Sequence, residues 1–278
     1  MSGTGATASE LYTATRVRSL QVTIALVVLA AVFGSAMVWA LPSLMTQVGA
    51  QDAEAAAGMG VDLGAYSPEN PGFQLMALDV SGSFQSGMPM IILVVIALAV
   101  LIPGMSFRYG AVTWKVLLVG GRLRWAVGTL GAVACLTAAV GVVSAIAVAA
   151  VGYGAAAVQG TNISVSVWEL LGMWLRGIGT LVLIAVMSSA VVIALRSLGR
   201  ALAVIAGVAV LGILLNTVGT FAGWEGGYFS WLPLNAAASA VGVSPQAPLS
   251  IAAGWGVLTL WTVLAVAWGL IRVRRYTL

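Results

Sequence analysis

The feature that most constrains this chain is a succession of six apolar stretches, at 22–44, 88–105, 126–153, 167–195, 201–221 and 249–271. A helix needs about 20 mostly apolar residues to cross the roughly 30 Å hydrocarbon core of a bilayer. Inside lipid every backbone N–H and C=O must be satisfied within the segment, so each stretch is expected to be a helix. Composition agrees: 61% of residues are hydrophobic and 7% charged, against about 25% charged in a soluble domain. The expected fold is all-α, a polytopic integral membrane protein with six transmembrane helices forming one domain over 1–278. The second stretch carries Pro89 and Pro103 towards its ends, where proline is tolerated. The first is longer than the apolar part of a secretory signal, although Val48-Gly49-Ala50 resembles a cleavage site, and is read as a retained span.

The charges test this division. With six spans, every basic residue except Arg176 falls on one side: Arg16 and Arg18 before the first span, Arg108, Lys115, Arg122 and Arg124 after the second, Arg196 and Arg200 after the fourth, and Arg272, Arg274 and Arg275 after the sixth. The acids oppose them. Asp52, Glu54, Asp62, Glu69 and Asp79 occupy the 45–87 loop, Glu169 and Glu225 belong to the same side, and only Glu10 lies with the basic residues. The positive-inside rule puts the basic side, and with it both termini, in the cytoplasm and the 45–87 loop outside. The net charge of +4 is then a topological signal and gives no reason to expect nucleic acid. Membrane lipids are the expected surroundings.

The inventory of reactive groups excludes much chemistry. There is no histidine, which removes imidazole acid–base catalysis, His metal sites and Ser–His nucleophiles. Apart from Glu169 at the outer end of the fourth stretch, no Asp, Glu, Lys or His lies inside a predicted span, so the usual deep proton-relay residues of ion-coupled transporters are missing. No Gly-x-x-x-x-Gly-Lys-Ser/Thr phosphate loop occurs. The chain is expected to be no enzyme and to bind no cofactor. The single cysteine, Cys135, is read as a small buried residue. Gly131, Cys135, Ala138 and Ala139 form a small-residue stripe suited to close packing within the chain, or more rarely to a dimer seam.

Between the second and third spans, 107–124 is basic and patterned. Val112, Val116, Val119 and Leu123 recur at helical spacing, and Gly120-Gly121 ends the helix. Such a segment lies on the anionic inner leaflet or serves as a docking surface for a cytoplasmic partner. Near the outer end of the fourth span, Glu169, Gly172, Arg176 and Thr180 share one helical face. At 1.5 Å per residue Arg176 is about 28 Å from Leu195, at the outer boundary. The expectation is that its side chain snorkels to the interface; the alternative is a pathway or gating role with Glu169, Thr180 and Asn216. Trp224, Tyr228, Phe229 and Trp231 fit an interfacial aromatic belt.

Ser106-Phe107-Arg108-Tyr109-Gly110-Ala111, followed by an apolar helix and Gly121-Arg122, resembles the cytoplasmic coupling region of type-2 ABC transporter permeases. Trp231-Leu232-Pro233-Leu234-Asn235-Ala236-Ala237, before the last span, resembles the Leu-Pro-x-Asn-Ala stretch of the same family, in which short outer helices dip back towards the membrane. The six-span plan with a sizeable first outer loop is similar as well. The sequence lacks the acidic residue, the Thr and the Pro of the family's coupling pattern. The resemblance implies an exporter membrane subunit in a bacterial plasma membrane, paired with a second permease subunit and working with a cytoplasmic ABC ATPase that binds the ATP. It implies that Arg108, Trp114, Lys115, Val116 and Leu117 contact that ATPase, with Arg108 and Lys115 pairing with acids at its rim. The rival expectation is a membrane immunity, sensor or scaffold protein that never couples to ATP.

Overall fold

The computed structural model describes residues 3–51, 67–82, 90–222, 229–243 and 247–275. They form helices α1 (Gly3–Arg16), α2 (Arg18–Gln51), α3 (Pro71–Ala77), α4 (Met90–Arg108), α5 (Ala111–Val119), α6 (Arg122–Gln159), α7 (Val167–Leu195), α8 (Leu198–Phe221), α9 (Pro233–Val241) and α10 (Ile251–Arg274). Among the described residues there is no strand. Six helices, α2, α4, α6, α7, α8 and α10, are long and apolar enough to cross a membrane. The chain is therefore an all-α, multi-pass membrane protein.

α7 occupies the centre and packs against α4, α6, α8, α9 and α10. Its limits follow from local chemistry. The Ser166 hydroxyl accepts from the Glu169 amide at 3.2 Å, and the Glu169 carboxylate accepts from the Ser166 amide at 3.2 Å. This reciprocal cap satisfies two donors that the first turn leaves open. At the other end Arg196 turns the chain left-handed, with φ of 54°.

Proline explains one interhelical bond. Pro103 lies inside α4, and with no N–H it leaves the carbonyl four residues earlier, on Ala99, unpaired. The Ser189 hydroxyl of α7 donates to that carbonyl at 2.6 Å. A broken bond within one helix thus becomes a bond between two, which lipid makes necessary.

Two short helices close the acidic end. The first is α3, in a stretch the sequence treats as plain loop. Its buried Gln74 donates through Nε2 to the carbonyls of Pro68 (2.8 Å) and Asn162 (2.9 Å), and accepts through Oε1 from the Ser164 amide (2.8 Å). Ser35 and Trp174 donate to the carbonyls of Ala77 and Leu78, at 2.7 and 2.9 Å. The second is α9, the short helix expected over 231–237. It packs against α10 and α7, closely enough that a Cβ on Gly254 would lie 2.6 Å from the Ala240 nitrogen.

Candidate docking surface at the basic end

At the basic end the chain reverses between α4 and α6. Gly110 and Gly120 adopt φ of 65° and 77°, a region that glycine enters without a Cβ penalty. They isolate α5 as a nine-residue helix. Its inward face is Val116, buried with Trp125, Ala126, Ile193 and Val273 from α6, α7 and α10, with Val112 and Phe107 packed beside them. The Phe107 and Trp125 rings meet edge to face, with centroids 5.7 Å apart.

A charged clasp adds to this contact. Lys115 Nζ donates to Glu10 Oε2 at 2.7 Å and to the Ser106 hydroxyl at 2.9 Å. Trp125 Nε1 donates to Glu10 Oε1 at 3.3 Å. Glu10 is 4% exposed and Lys115 23%. Four helices, α1, α4, α5 and α6, meet in this one network. A buried carboxylate is tolerated because it is paired and hydrogen-bonded. α1 itself sits against α6 where Gly128 lacks a side chain; a Cβ there would lie 3.2 Å from the Ala6 carbonyl carbon and 3.3 Å from the Thr7 nitrogen.

The outward face of α5 is apolar and uncovered. Trp114, Leu117 and Leu118 are 71%, 64% and 74% exposed, and Tyr109 beside them is 73% exposed. The Arg108 guanidinium lies 5.9 Å from the Tyr109 ring centre, within cation–π range. Covering Leu117 and Leu118 is worth on the order of 1.5–3 kcal/mol each. The arrangement is a rigid platform that presents a greasy ridge.

The residues expected here therefore separate. Arg108, Trp114 and Leu117 lie on the exposed ridge. Lys115 and Val116 do not: Lys115 is engaged by Glu10 and Val116 is the buried fastening. Leu123 does not continue the valine face, because Gly120-Gly121 place it in α6. The helical nature of α1 is missing from the sequence reading. The signal for it was Glu10, the only acid on the basic side.

At the acidic end the pathway candidates do not come together. Glu169 is spent on the cap of α7. Arg176 is half-buried and donates through Nε to the Val241 carbonyl at 2.9 Å, so it caps the last turn of α9. A cation suits a helix C-terminus. Thr180 is buried, and its hydroxyl finds no hydrogen-bond partner among the described residues. The side chain of Asn216, like Trp224 and Tyr228 of the aromatic belt, lies outside the described residues; Trp231 is exposed and its carbonyl accepts from Trp261 Nε1 at 2.8 Å. Asp79, expected in the outer loop, is folded inwards; its carboxylate accepts from the Ser81 amide and hydroxyl at 2.9 and 2.8 Å. It borders a cavity of about 80 Å³ with Ser35, Met37, Met76 and Met90.

Cys135 is exposed, contrary to the buried position expected. Gly131 packs against Thr7 of α1, but Cys135 and Ala139 face outwards, so the small-residue stripe is not consumed in packing within the chain. Among the described residues no three His, Cys, Asp or Glu side chains gather to hold a metal ion. No family model and no curated protein matches this chain.

Proposed function

We propose that the chain is the membrane-spanning permease subunit of an ATP-driven exporter, with its basic end and both termini in the cytoplasm of a bacterial cell. It pairs with a second permease subunit and couples to a separate ATPase that binds the ATP. The observation that carries this reading is the exposed ridge of Trp114, Leu117 and Leu118 on a helix pinned from behind. Support also comes from the family resemblance of Arg108-Tyr109-Gly110 and of the Leu232–Ala237 stretch, which folds as the short helix α9.

In this reading α5 docks into a groove of the ATPase, where a few apolar and aromatic anchors hold most of the binding energy. ATP-driven closure of the ATPases then displaces α5. The helix is fixed to α1, α4 and α6 through Lys115, Glu10, Ser106 and Trp125, so its displacement passes into the spans instead of being lost in a loose loop. The path opened lies between the two permeases.

The test is co-purification of the ATPase with Trp114→Ala and Leu117→Asp variants. Truncating a buried anchor costs about 2 kcal/mol or more, roughly a thirtyfold loss in affinity. Assembly and export should fall while membrane insertion stays normal. Full assembly and full export in both variants would sink the proposal and leave α5 as a helix resting on the inner leaflet.

A further inference from the structure

The cavity at the acidic end belongs to the six-span fold and owes nothing to the exporter reading. α2, the residues after α3 and the start of α4 enclose its 80 Å³. Three contacts hold these walls together. The Ser35 hydroxyl of α2 donates to the Ala77 carbonyl at 2.7 Å. Val80 and Ile91 are buried with Ala31 in the main core. The Asp79 carboxylate is fixed by the Ser81 amide and hydroxyl. Met37, Met76 and Met90, from α2, α3 and α4, all line the cavity. Met37 lies two residues beyond Ser35, Met76 adjoins Ala77 and Met90 adjoins Ile91. The fixed contacts thus bring three thioethers from three helices to one space.

These side chains are not core filler. Methionine usually closes irregular gaps, yet Met37 and Met90 are 48% and 60% exposed, and the space that all three line stays open. The sequence carries the same bias: Met37, Met45, Met59, Met76, Met88 and Met90, six of the ten methionines, fall within about a fifth of the chain. Size limits the occupant. A water needs about 10–15 Å³ and benzene fills a cavity of roughly 150 Å³, so 80 Å³ suits an ion with a few waters. The donors limit it further. Zinc is held by Cys, His and carboxylates, and the cavity offers neither Cys nor His. Calcium and magnesium take several oxygens, and Asp79 is the one carboxylate among the described lining residues. Thioether sulfur is soft and selects copper(I).

We propose that Met37, Met76 and Met90 form a binding site for copper(I). The methionine side chain turns about three bonds, so the two exposed thioethers swing in over the ion while the half-buried Met76 meets it from within. Asp79 stays with Ser81 and is not a ligand.

The experiment uses the full chain in a neutral detergent, carrying Cys135→Ala so that the exposed thiol does not compete. Copper(I), kept reduced with ascorbate, is titrated against a chromophoric copper(I) chelator, and X-ray absorption reads the donor atoms. One ion per chain should bind, with sulfur as its first shell. Met37→Leu, Met76→Leu and Met90→Leu conserve volume and should leave the unfolding midpoint without metal close to that of the parent. Each should weaken copper(I) binding about tenfold or more, since losing even a group behind a ligand costs roughly 10–100-fold. Asp79→Asn should bind as the parent does, and so should Met105→Leu, at the basic end. Four results overturn the site. The first is no binding, or a first shell of oxygen or nitrogen. The second is parental affinity in all three leucine variants, which places the ion elsewhere. The third is an Asp79→Asn variant that loses an ion the leucine variants keep, which makes the cavity a site for a hard cation. The fourth is a Met105→Leu variant weakened as much as the other three, which makes the binding a diffuse property of methionine.

Discussion

The two ends of the bundle are closed by different chemistry. At the acidic end α3 and α9 are stitched down largely through backbone carbonyls, which accept from Gln74, Ser35, Trp174, Trp255 and Arg176. Only Arg176 in that set is charged. At the basic end α1 and α5 are held by one ion pair, an indole donor and a small apolar cluster. Directional bonds between neutral groups fix a single geometry and are little affected by salt. A partly exposed ion pair weakens as salt rises and is more easily opened. The contrast separates a fixed frame at the acidic end from a more easily opened fastening at the basic end.

The contrast breaks most clearly at Gln74. Gln74→Leu leaves the carbonyls of Pro68 and Asn162 and the amide of Ser164 without their buried partner. At about 1–3 kcal/mol for each unsatisfied group, we expect a loss of roughly 3 kcal/mol or more. Thermal unfolding in detergent should show a large fall that does not vary with salt.

At the basic end Lys115→Ala strands a buried carboxylate that keeps the Trp125 donor. We expect a loss of about 2–3 kcal/mol, since removing one partner of a buried pair is costly. The double variant Glu10→Leu with Lys115→Leu should recover most of it. A double-mutant cycle measured at low and high salt reads the pair directly. A coupling energy near zero would mean that α5 is held by Val116 and its neighbours alone.

Arg176→Leu removes a charged hydrogen bond to the Val241 carbonyl, worth about 1.5–3 kcal/mol. Its effect should stay local: faster hydrogen exchange in α9, with unchanged protection in α4 and α6. Unchanged exchange in α9 would show that the bond to Val241 does not hold that helix. The smallest effect belongs to Trp114→Ala, which should alter the stability of the isolated chain by less than about 0.5 kcal/mol, as exposed substitutions do. A large destabilisation would show that the ridge is packed, and would remove it as a docking surface.

How much of this was legible follows from the length of each signal. A span announces itself over twenty residues, and α7 runs from Val167 to Leu195 as expected because Ser166 and Arg196 punctuate it. The seven residues of α3 carry no such period, and their stability comes from Gln74, whose partners lie far away in sequence. α1 has a weak apolar pattern and is held by contacts with α6 that no local rule reveals. On α5 the sequence offers the helix but not its rotation: Trp114 and Leu117 are exposed, whereas Val116 is buried and Lys115 is engaged by Glu10. The Glu169–Arg176 face is real as geometry, but each side chain is claimed by a different carbonyl or amide. Cys135 looks buried in a one-dimensional apolar run; only the packing decides which face of α6 points away.

The clasp between Glu10 and Lys115 joins residues 105 positions apart, and this sets an order in time. At about 5–20 residues per second of synthesis, α1 waits on the order of 5–20 seconds before the lysine exists, and longer for Gly128 and Trp125. Throughout that interval Glu10 is solvated, and α1 has neither its seat nor its counter-charge. The first helix made is thus among the last to be fastened. A nascent chain halted after α4 would carry two inserted spans and an unanchored α1. Protease protection of α1 in chains arrested at increasing lengths should therefore appear only once the first turns of α6 have emerged.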